Sequence, residues 1–256
     1  MPLFRLSDRI EFPPAWLARS DGLLCIGGDL EPRRLVLAYK NGIFPWFSSN
    51  EPILWWSPDP RLVIYPNDIR VSRSLKKKIR KNIFEIRVNT AFEQTIRACS
   101  QPRQNKEEGT WLIDGMIEAY IALHKMGYAH SVETWFEGCL VGGLYGISIG
   151  RSFFGESMFS RKADASKIAL VALAGHLADH DFDIIDCQVT TDHLLSMGAV
   201  EIPRDSFLEV IGHSIDAQIP AGVWTCDQIL DPESTPGDTL RKETSTRMHT
   251  GTGKGL

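Results

Sequence analysis

The segment HSVETWFEGCLVGGLYGISIGRSFFGESMF, from His130 to Phe159, decides the fold of this chain. Three candidate strands lie within it: His130 to Phe136, Leu140 to Ile147 and Arg151 to Phe159. The links between them, Glu137-Gly138 and Ser148 to Gly150, are short, and short links favour hairpins between antiparallel strands. The segment therefore predicts an antiparallel meander.

A helix and a further strand follow the meander. The helix begins at Asp164 or Ala165 and reaches about Ala178, and its leucines form an apolar stripe. The strand Ile184 to Gln188 comes next and must return beside the sheet. This order predicts an α/β (α+β) fold with a mixed, mainly antiparallel sheet and a cleft where two strands diverge. We place this larger domain at residues 63–232.

The two ends of the chain differ in composition from this middle part. Residues 1–62 are rich in proline, glycine and tryptophan and contain one short predicted helix, Pro32 to Lys40, so they predict a small irregular domain. The segment from Asn50 to Pro66 crosses into the larger domain. Residues 233–256 contain few apolar side chains and are predicted to form a disordered tail.

The overall composition is that of a globular protein, with 256 residues, 43% hydrophobic and 23% charged. No uninterrupted apolar run reaches the roughly 18 to 20 residues that cross a bilayer, and the first residues lack the apolar core of a secretory signal. We therefore expect a cytoplasmic protein.

Metal and disulfide sites are not indicated by the cysteines and histidines. The 5 cysteines are odd in number and far apart, which argues against a disulfide framework or a zinc ribbon. His176 and His180, four apart on the long helix, could share a metal ion, but no obvious third ligand accompanies them. We expect two solvent-facing histidines and no metal.

A basic segment stands out against the formal net charge of −4. The segment from Arg70 to Arg87 contains many basic residues but only one acid, Glu85. Further elements are predicted around it: the basic helix Ser72 to Lys81, the strand Phe84 to Val88, and the helices Thr90 to Cys99 and Trp111 to Lys125. The charges of the basic helix are suited to nucleic-acid phosphates, although a solvated helix face remains an equal alternative.

Tryptophans cluster in the first half of the chain, at Trp46, Trp55, Trp56 and Trp111. Aromatic rings beside basic residues are suited to stacking an exposed nucleobase while the cations hold phosphates. Packing in the core is the alternative for each ring taken singly.

Polar residues interrupt two strands that otherwise look buried. Asp186 and Gln188 are two apart on a strand, so they are expected to share a face, where they could hold an amine and guide its proton or merely pin the strand to a neighbour. Glu156 lies among apolar residues and needs a partner, which is either Arg151 or Arg161 or a cationic amine of a substrate.

Two glycines, Gly142 and Gly143, lie inside a predicted strand, which they would weaken without a reason for their presence. A ligand against the backbone and a structural bulge are both open.

Motifs in order from about residue 12 to residue 207 carry a resemblance when they are taken together. They are GGDL (27–30), GIFPWF (42–47), LWWSPDPR (54–61), VSRS (71–74), GTW (109–111), HSVE (130–133), LVGGLYG (140–146), FGESMFSR (154–161), ASK (165–167) and IDCQ (185–188). With them the chain resembles the leucyl/phenylalanyl-tRNA-protein transferases. The resemblance implies an aminoacyltransferase that moves leucine, phenylalanine or, less well, methionine from tRNA to the α-amine of proteins beginning with arginine or lysine. Such a transfer marks the acceptor for degradation by the N-end rule.

The resemblance also implies a fold and a set of site residues. The larger domain would be of the GNAT acyltransferase type. Asp186 and Gln188 would be catalytic together with the motif acid Glu156. The tRNA 3′ adenosine region would stack on Trp46 and Trp111. The donor side chain would enter an apolar pocket formed by Phe153, Met158, Leu170, Leu173, Leu177 and Ile185. Leucine stands at 144, 173 and 177, where some members of the family carry methionine or phenylalanine.

A mechanism follows from the chemistry of such substrates. The aminoacyl ester is already activated and a protein α-amine has a pKa of about 7.7 to 8, so we expect neither a covalent intermediate nor a metal or other cofactor. Gln188, oriented by Asp186, would accept a hydrogen bond from the amine, and Glu156 would help to hold the cationic reactants. The basic helix would bind acceptor-stem phosphates through Arg73, Lys76, Lys77, Arg80 and Lys81.

Two other functions compete with this one. The first is an acetyltransferase that uses acetyl-CoA, for which the segment from Arg161 to Lys167 is only partly suited to hold a pyrophosphate. The second is a non-catalytic RNA-binding module, which would need the basic helix and the tryptophans but neither the Asp186 and Gln188 pair nor the apolar pocket.

Overall fold

Two sheets form the framework of the computed structural model, which describes residues 3–101, 112–226 and 228–233. The smaller sheet is four-stranded, in the order β1-β2-β4-β3. Its strands are β1 (Phe4–Leu6), β2 (Leu23–Gly27), β3 (Phe44–Pro45) and β4 (Leu54–Trp56). Strands β1 and β2 are parallel, and the remaining pairs are antiparallel. The first part of the chain, predicted to be irregular, thus contains a sheet whose strands are too short to show a pattern in the sequence.

Helix α1 (Pro32–Lys40) joins β2 to β3, as predicted. Proline at the first helical position suits the start of the helix, since its missing N–H would have no partner there. The chain leaves the helix through Asn41 and Gly42, and Gly42 has a φ of +69°. A Cβ at Gly42 would lie 2.6 Å from the side chain of Leu208, so the glycine also permits close packing.

The larger sheet is eight-stranded, in the order β11-β5-β10-β9-β8-β7-β6-β12. Its strands are β5 (Arg61–Ile64), β6 (Glu85–Val88), β7 (Ala129–Phe136), β8 (Cys139–Ile149), β9 (Ser152–Ser160), β10 (Ile184–Gln188), β11 (Val200–Ile202) and β12 (Gln228–Leu230). Only β9 and β10 are parallel among these pairs. The predicted mixed, mainly antiparallel sheet is therefore confirmed.

The predicted meander is confirmed in β7, β8 and β9, which pair in sequence. Glu137 and Gly138 both have positive φ, of 50° and 75°, which is the backbone that a tight hairpin requires. Strand β5, at the end of the segment predicted to cross between the domains, lies between β10 and β11.

Close packing accounts for both glycines inside β8. A Cβ at Gly142 would lie 2.4 Å from the Cβ of Ala165, and a Cβ at Gly143 would lie 2.8 Å from the carbonyl oxygen of Val132. Protein atoms therefore occupy the space beside both glycines. Of the two explanations left open by the sequence, the structural one is correct and a ligand against this backbone is not needed.

Helices cover both faces of the larger sheet. They are α2 (Arg73–Ile79), α3 (Phe92–Cys99), α4 (Asp114–Lys125), α5 (Ala165–Asp179), α6 (Asp192–Ser196) and α7 (Arg204–Ser214). Successive side chains of a strand point to opposite faces of the sheet, so the core has two parts, one on each face. Phe154 and Ile184 belong to one part, and their neighbours Phe153 and Ile185 belong to the other. The first part includes residues of α1, α3, α4 and α7, and the second includes residues of α2 and α5.

Helix α5 is more deeply buried than its predicted stripe implied. Every residue from Ile168 to Leu177 is buried. The helix packs on β7 and β8, while the turn Pro66–Asp68 and strand β12 cover it elsewhere. His176, predicted to face solvent, is buried, and its Nε2 lies 2.8 Å from the carbonyl oxygen of Val223. That prediction was wrong because the C-terminal segment returns over this helix.

The predicted division at residue 62 stays a prediction. Of the tail, residues 234–256 lie outside the described part of the chain. Among the described helices, none combines the length and the apolar character that crossing a membrane would demand.

Candidate active site

A cleft opens where the parallel strands β9 and β10 part. Their last paired residues are Phe154 and Asp186, and β9 continues to Ser160 paired only with β8. The space beyond has a volume of about 1190 Å³ and is lined by residues of both strands. The cleft that the sequence predicted from strand order therefore lies at the end of the IDCQ motif.

Gln188 lines this cleft on a bulge of β10. The register shifts between Asp186 and Gln188, and Gln188 has a φ of 66°, an uncommon backbone for a residue with a side chain. Its backbone N–H donates to Asp186 Oδ1 over 2.9 Å. Because of this bulge Gln188 contributes to the cleft wall and Asp186 does not, so the predicted shared face was wrong.

Asp186 is paired with Arg61, a partner that the sequence alone did not reveal. Arg61 Nε and Nη2 donate to the two carboxylate oxygens over 2.8 and 2.7 Å, and both side chains are fully buried. The guanidinium also lies 4.9 Å from the ring centre of Phe44 and 4.5 Å from that of Phe207. The signal in the sequence was the apolar setting of Asp186, since a buried carboxylate requires a cation.

Glu156 is half-buried at the cleft wall and makes three hydrogen bonds. The Tyr39 hydroxyl lies 2.7 Å from Oε1, Gln188 Nε2 donates to the same oxygen over 2.8 Å, and the Tyr120 hydroxyl lies 2.7 Å from Oε2. The two phenol oxygens are also in hydrogen-bond contact with each other. Burial raises the pKa of Glu156 to about 7, although the hydrogen bonds with these three side chains act in the opposite direction.

Of the two partners considered for Glu156, the ion pair with Arg151 or Arg161 was wrong. Arg151 instead binds Asp183, and the Arg161 guanidinium lies 5.4 Å from the ring centre of Phe159. The true partners, Tyr39 and Tyr120, come from α1 and α4. Each was detectable only as a tyrosine on an apolar helix face, where the hydroxyl needs a partner.

Most of the predicted pocket residues line the cleft. They are Phe153, Met158, Leu170, Leu173 and Ile185, accompanied by Leu144. Leu177 is not among them, because it lies two turns beyond Leu170 on α5 and is fully buried in the core. The structure therefore brings together an apolar wall and the polar group of Gln188 and Glu156.

The tryptophans have different surroundings. Trp46 lines the cleft with 42% of its surface exposed, and its ring centre lies 5.8 Å from that of Trp56. Trp55 is fully buried and packs edge-on against Phe12, so core packing is its role. Trp111 lies outside the described residues.

The predicted basic helix is confirmed as α2, although it ends at Ile79. Ser72 caps its start by accepting from the backbone N–H of Leu75. The side chains predicted to bind tRNA are all exposed: Arg73, Lys76, Lys77, Arg80 and Lys81. Lys78 instead bonds to Asp164 over 2.6 Å, which joins α2 to the start of α5.

A smaller cavity of about 400 Å³ lies at that start of α5 and is lined by Arg161, Lys162 and Lys167. Arg161 also lines the main cleft, so basic side chains continue from α2 to the cleft. In the part of the chain that the structure describes, no three histidine, cysteine or acidic side chains are grouped closely enough to hold a metal ion.

Comparison with known proteins gives consistent matches. The family model described as leucyl/phenylalanyl-tRNA protein transferase matches residues 63–212, and the model of the N-terminal domain of that family matches residues 28–59. A leucyl/phenylalanyl-tRNA–protein transferase of Desulforapulum autotrophicum is 61% identical over 224 residues, which cover 88% of this chain and 98% of the relative. The one of Syntrophobacter fumaroxidans is 53% identical over 224 residues, with coverages of 88% and 96%.

Among solved structures, the L-PGS structure from Bacillus licheniformis matches 88% of this chain and 72% of its own, at 14% identity and a TM-score of 0.37. A likeness at this score carries no argument about fold or function.

Proposed function

The chain belongs to the leucyl/phenylalanyl-tRNA-protein transferase family, and we propose that it moves leucine, phenylalanine and, less well, methionine from tRNA to proteins beginning with arginine or lysine. The acceptor would be the α-amine, and the product would be marked for degradation by the N-end rule. We expect the protein to act in the cytoplasm, where aminoacyl-tRNA is available. The observation that carries the proposal is the cleft, in which an apolar wall meets Gln188 and Glu156.

In the proposed reaction the amine nitrogen attacks the ester carbonyl. The carbon–nitrogen bond forms, the bond to the tRNA 3′ oxygen breaks, and the proton lost by the amine ends on that oxygen. Gln188 uses an amide hydrogen to bond Glu156, so its amide oxygen is the atom that we assign to accept from the amine. Alignment of this kind can supply about 7 to 11 kcal/mol of a barrier.

Asp186 is proposed to act through Gln188. Its oxygens are occupied by Arg61 and by the backbone N–H of Gln188, so it holds the bulge on which Gln188 lies. This makes Asp186 a positioning residue and leaves Gln188 as the group that touches the amine.

The donor side chain is proposed to lie against Phe153, Met158, Leu170, Leu173 and Ile185. A pocket of this kind distinguishes one methylene by only about 1 to 3 kcal/mol, so rejection of valine and isoleucine must come from shape as well as area. A branch at Cβ meets the wall before the pocket is filled.

The tRNA is proposed to bind along the basic side chains. Trp46, and Trp111 as predicted, would stack on the 3′ adenosine region, while the exposed cations of α2 hold acceptor-stem phosphates. Arg161, which lines both cavities, connects these two regions.

One assay separates this function from its two competitors. The protein is incubated with radiolabelled leucyl-tRNA and a peptide that begins with arginine, and with the same peptide beginning with glutamate as a control. Labelled peptide only in the first case supports the transferase. Acetylation by acetyl-CoA would identify an acetyltransferase, and tRNA binding without product would identify a binding module.

The roles within the site are tested with two variants whose folding is verified by circular dichroism. Gln188→Ala removes the amide and should lower the transfer rate by about 100-fold or more, the scale of a lost proton-handling group. Asp186→Ala should lower it as well and should also weaken the fold. Rates near that of the wild type in both variants would exclude these assignments.

The basic helix is tested by its response to salt. Replacing Lys76 and Lys77 with glutamine should weaken binding of aminoacyl-tRNA and should lower the slope of log affinity against log salt by about 1 for each lost phosphate contact. Lys125, exposed on α4, serves as the matched control when changed to glutamine. An unchanged slope in the α2 variant would remove this helix from the tRNA site.

A further inference from the structure

The carboxyl of Glu156 and two phenols form a closed set of contacts behind the cleft wall. Tyr39 and Tyr120 each contact a different carboxyl oxygen, at 2.7 Å in both cases, and they also contact each other. Three oxygen-to-oxygen contacts therefore connect three side chains, and each contact needs one proton between its two oxygens.

The number of protons that these three contacts need determines whether Glu156 is charged. Each phenol supplies one proton, so an ionised carboxylate would leave two oxygens facing each other with no proton between them. A neutral carboxylic acid supplies the third proton. We infer that Glu156 carries a proton in the resting enzyme and forms, with Tyr39 and Tyr120, a closed ring of three hydrogen bonds.

In this ring the acid proton on Oε2 is donated to Tyr120, Tyr120 donates to Tyr39, and Tyr39 donates to Oε1. Gln188 Nε2 remains the fourth contact and donates to the same Oε1. Every polar hydrogen of the ring then has an acceptor, as buried polar groups require.

The surroundings of the ring favour the neutral form. The direct contacts of the Glu156 carboxyl, within the described residues, are two phenols and an amide, none of which carries a positive charge. Asp186 on β10 adds a negative charge nearby, and Arg61 neutralises that acid rather than Glu156. Tyr145 on β8 also faces the ring. Burial acts in the same direction and raises the pKa of Glu156 to about 7.

This inference rests on the proposed function for its consequence. An ionised carboxylate beside the attacking amine would favour the ammonium form, which has no lone pair for attack. A neutral Glu156 leaves the amine in its reactive state while still orienting Gln188. The charge-based role predicted for Glu156 is therefore replaced by an uncharged one, and Tyr39 and Tyr120 become positioning residues.

Infrared difference spectroscopy tests the protonation directly, without tRNA or acceptor. At pH 6, subtracting the spectrum of Glu156→Gln from that of the wild type should give the carbonyl stretch of one protonated carboxylic acid, which disappears as the pH rises through about 7. A carboxylate band alone at pH 6 would overturn the inference, even if the wild type transfers leucine normally.

The ring itself is tested with phenylalanine variants. Tyr120→Phe removes the acceptor of the acid proton, so the carbonyl band should move to higher frequency or vanish. Tyr145→Phe is the matched control, since the Tyr145 hydroxyl is buried nearby but has no hydrogen-bond partner among the described residues, and it should leave the band in place. An unchanged band in Tyr120→Phe would mean that the proton is not donated to that phenol.

The functional consequence is tested with the same amide variant. Glutamine is uncharged and can donate to Tyr120 from its amide, whereas alanine leaves the two phenols without a partner, so Glu156→Gln should transfer leucine at least about tenfold faster than Glu156→Ala. Equal rates in these two variants would count against the ring, whereas absence of transfer in the wild type, assayed beside them, would count against the proposed function.

Discussion

At the scale of the residue, Asp186 is held in place by its neighbours. Arg61 binds both of its oxygens, and the Gln188 N–H takes one of them as well. With both oxygens occupied, the Asp186 carboxylate supports the positive φ of Gln188, and the Gln188 side chain lines the cleft.

We predict that Asp186→Asn destabilises the protein by about 3 to 5 kcal/mol, because it leaves the Arg61 guanidinium buried without a counter-charge. Urea unfolding followed by circular dichroism measures this change. The control is Glu93→Gln, which breaks an exposed pair with Arg97 and should cost no more than about 0.5 kcal/mol. Similar losses in the two variants would contradict the role of burial.

A second prediction concerns the donor pocket. Leu173→Ala removes part of the pocket wall and so enlarges the pocket. It should raise the preference for phenylalanine over leucine by about tenfold, which corresponds to roughly 1 to 3 kcal/mol of differential binding. Leu177→Ala, one turn further along α5, should cost about 2 to 5 kcal/mol of stability and leave the preference unchanged. Competition between labelled leucyl-tRNA and phenylalanyl-tRNA checks both. A changed preference in Leu177→Ala would extend the pocket deeper into the core.

The sequence identified Gln188 and Glu156 but neither Arg61 nor the two tyrosines. Alternation along a strand shows which side chains are out of place in an apolar setting. Their partners come from β5, α1 and α4, which are distant along the chain, so only the folded structure brings them together. The bulge escaped prediction for the same reason, since nothing in the letters IDCQ marks a positive φ.

At the scale of the element, predicted and observed bounds agree to within a few residues. Alternating apolar residues and short turns identify β7 to β9, and a proline at the first helical position identifies the start of α1. Helix α5 shows where such patterns stop being informative. Its burial on every side depends on the turn Pro66–Asp68 and on β12, which cover it from elsewhere in the chain.

The contact between β8 and α5 allows a further prediction. Gly142→Ala places a Cβ 2.4 Å from that of Ala165, so the start of α5 must shift, and we expect a loss of about 1 to 3 kcal/mol. Gly212→Ala on α7 is the control, because its added Cβ meets nothing within 4 Å beyond its chain neighbours and the backbone of its own helix, and it should stabilise the protein by about 0.5 to 1 kcal/mol. Thermal unfolding compares the two. Equal shifts would argue against close packing at Gly142.

At the scale of the whole molecule, the C-terminal segment covers a pair of buried histidines. Trp224 stacks on His130 with ring centres 4.3 Å apart. His130 Nδ1 lies 3.1 Å from the Asn89 amide nitrogen, and its Nε2 lies 3.1 Å from the Gly127 carbonyl oxygen. The ring therefore donates through Nε2 and accepts through Nδ1, which is the neutral form. Burial lowers the pKa of His130 to about 3 and that of His176 to about 4.

These lowered values predict a loss of stability in acid. The unfolded histidines take up protons below a pH of about 6.5, while the folded His130 does not, so each contributes a loss of up to about 1.4 kcal/mol per pH unit as the pH falls toward 4. Glu156 has the opposite effect between about pH 7 and 4.5. Because its pKa is raised in the folded state, it takes up its proton there first and adds stability as the pH falls.

The histidine contribution is isolated by comparing the wild type with His130→Gln in urea unfolding at several pH values. The variant should be less stable at pH 7 and should lose less stability between pH 6.5 and 4. Parallel curves for the two proteins would show that His130 is not the group that titrates.

The fold class could be predicted from the sequence because the order of strands and helices restricts how a chain can close into a sheet. The four-stranded sheet could not, since strands of two to five residues carry too little pattern.

The position of β5 has a consequence for synthesis. This strand is made early, yet both of its partners, β10 and β11, begin only at Ile184 and Val200. While a ribosome extends the chain, β5 has two unpaired edges until those residues have emerged. Asp186 and Gln188 lie on β10 and therefore join the site at the same late stage. A truncated nascent chain thus has no assembled site with which to bind aminoacyl-tRNA.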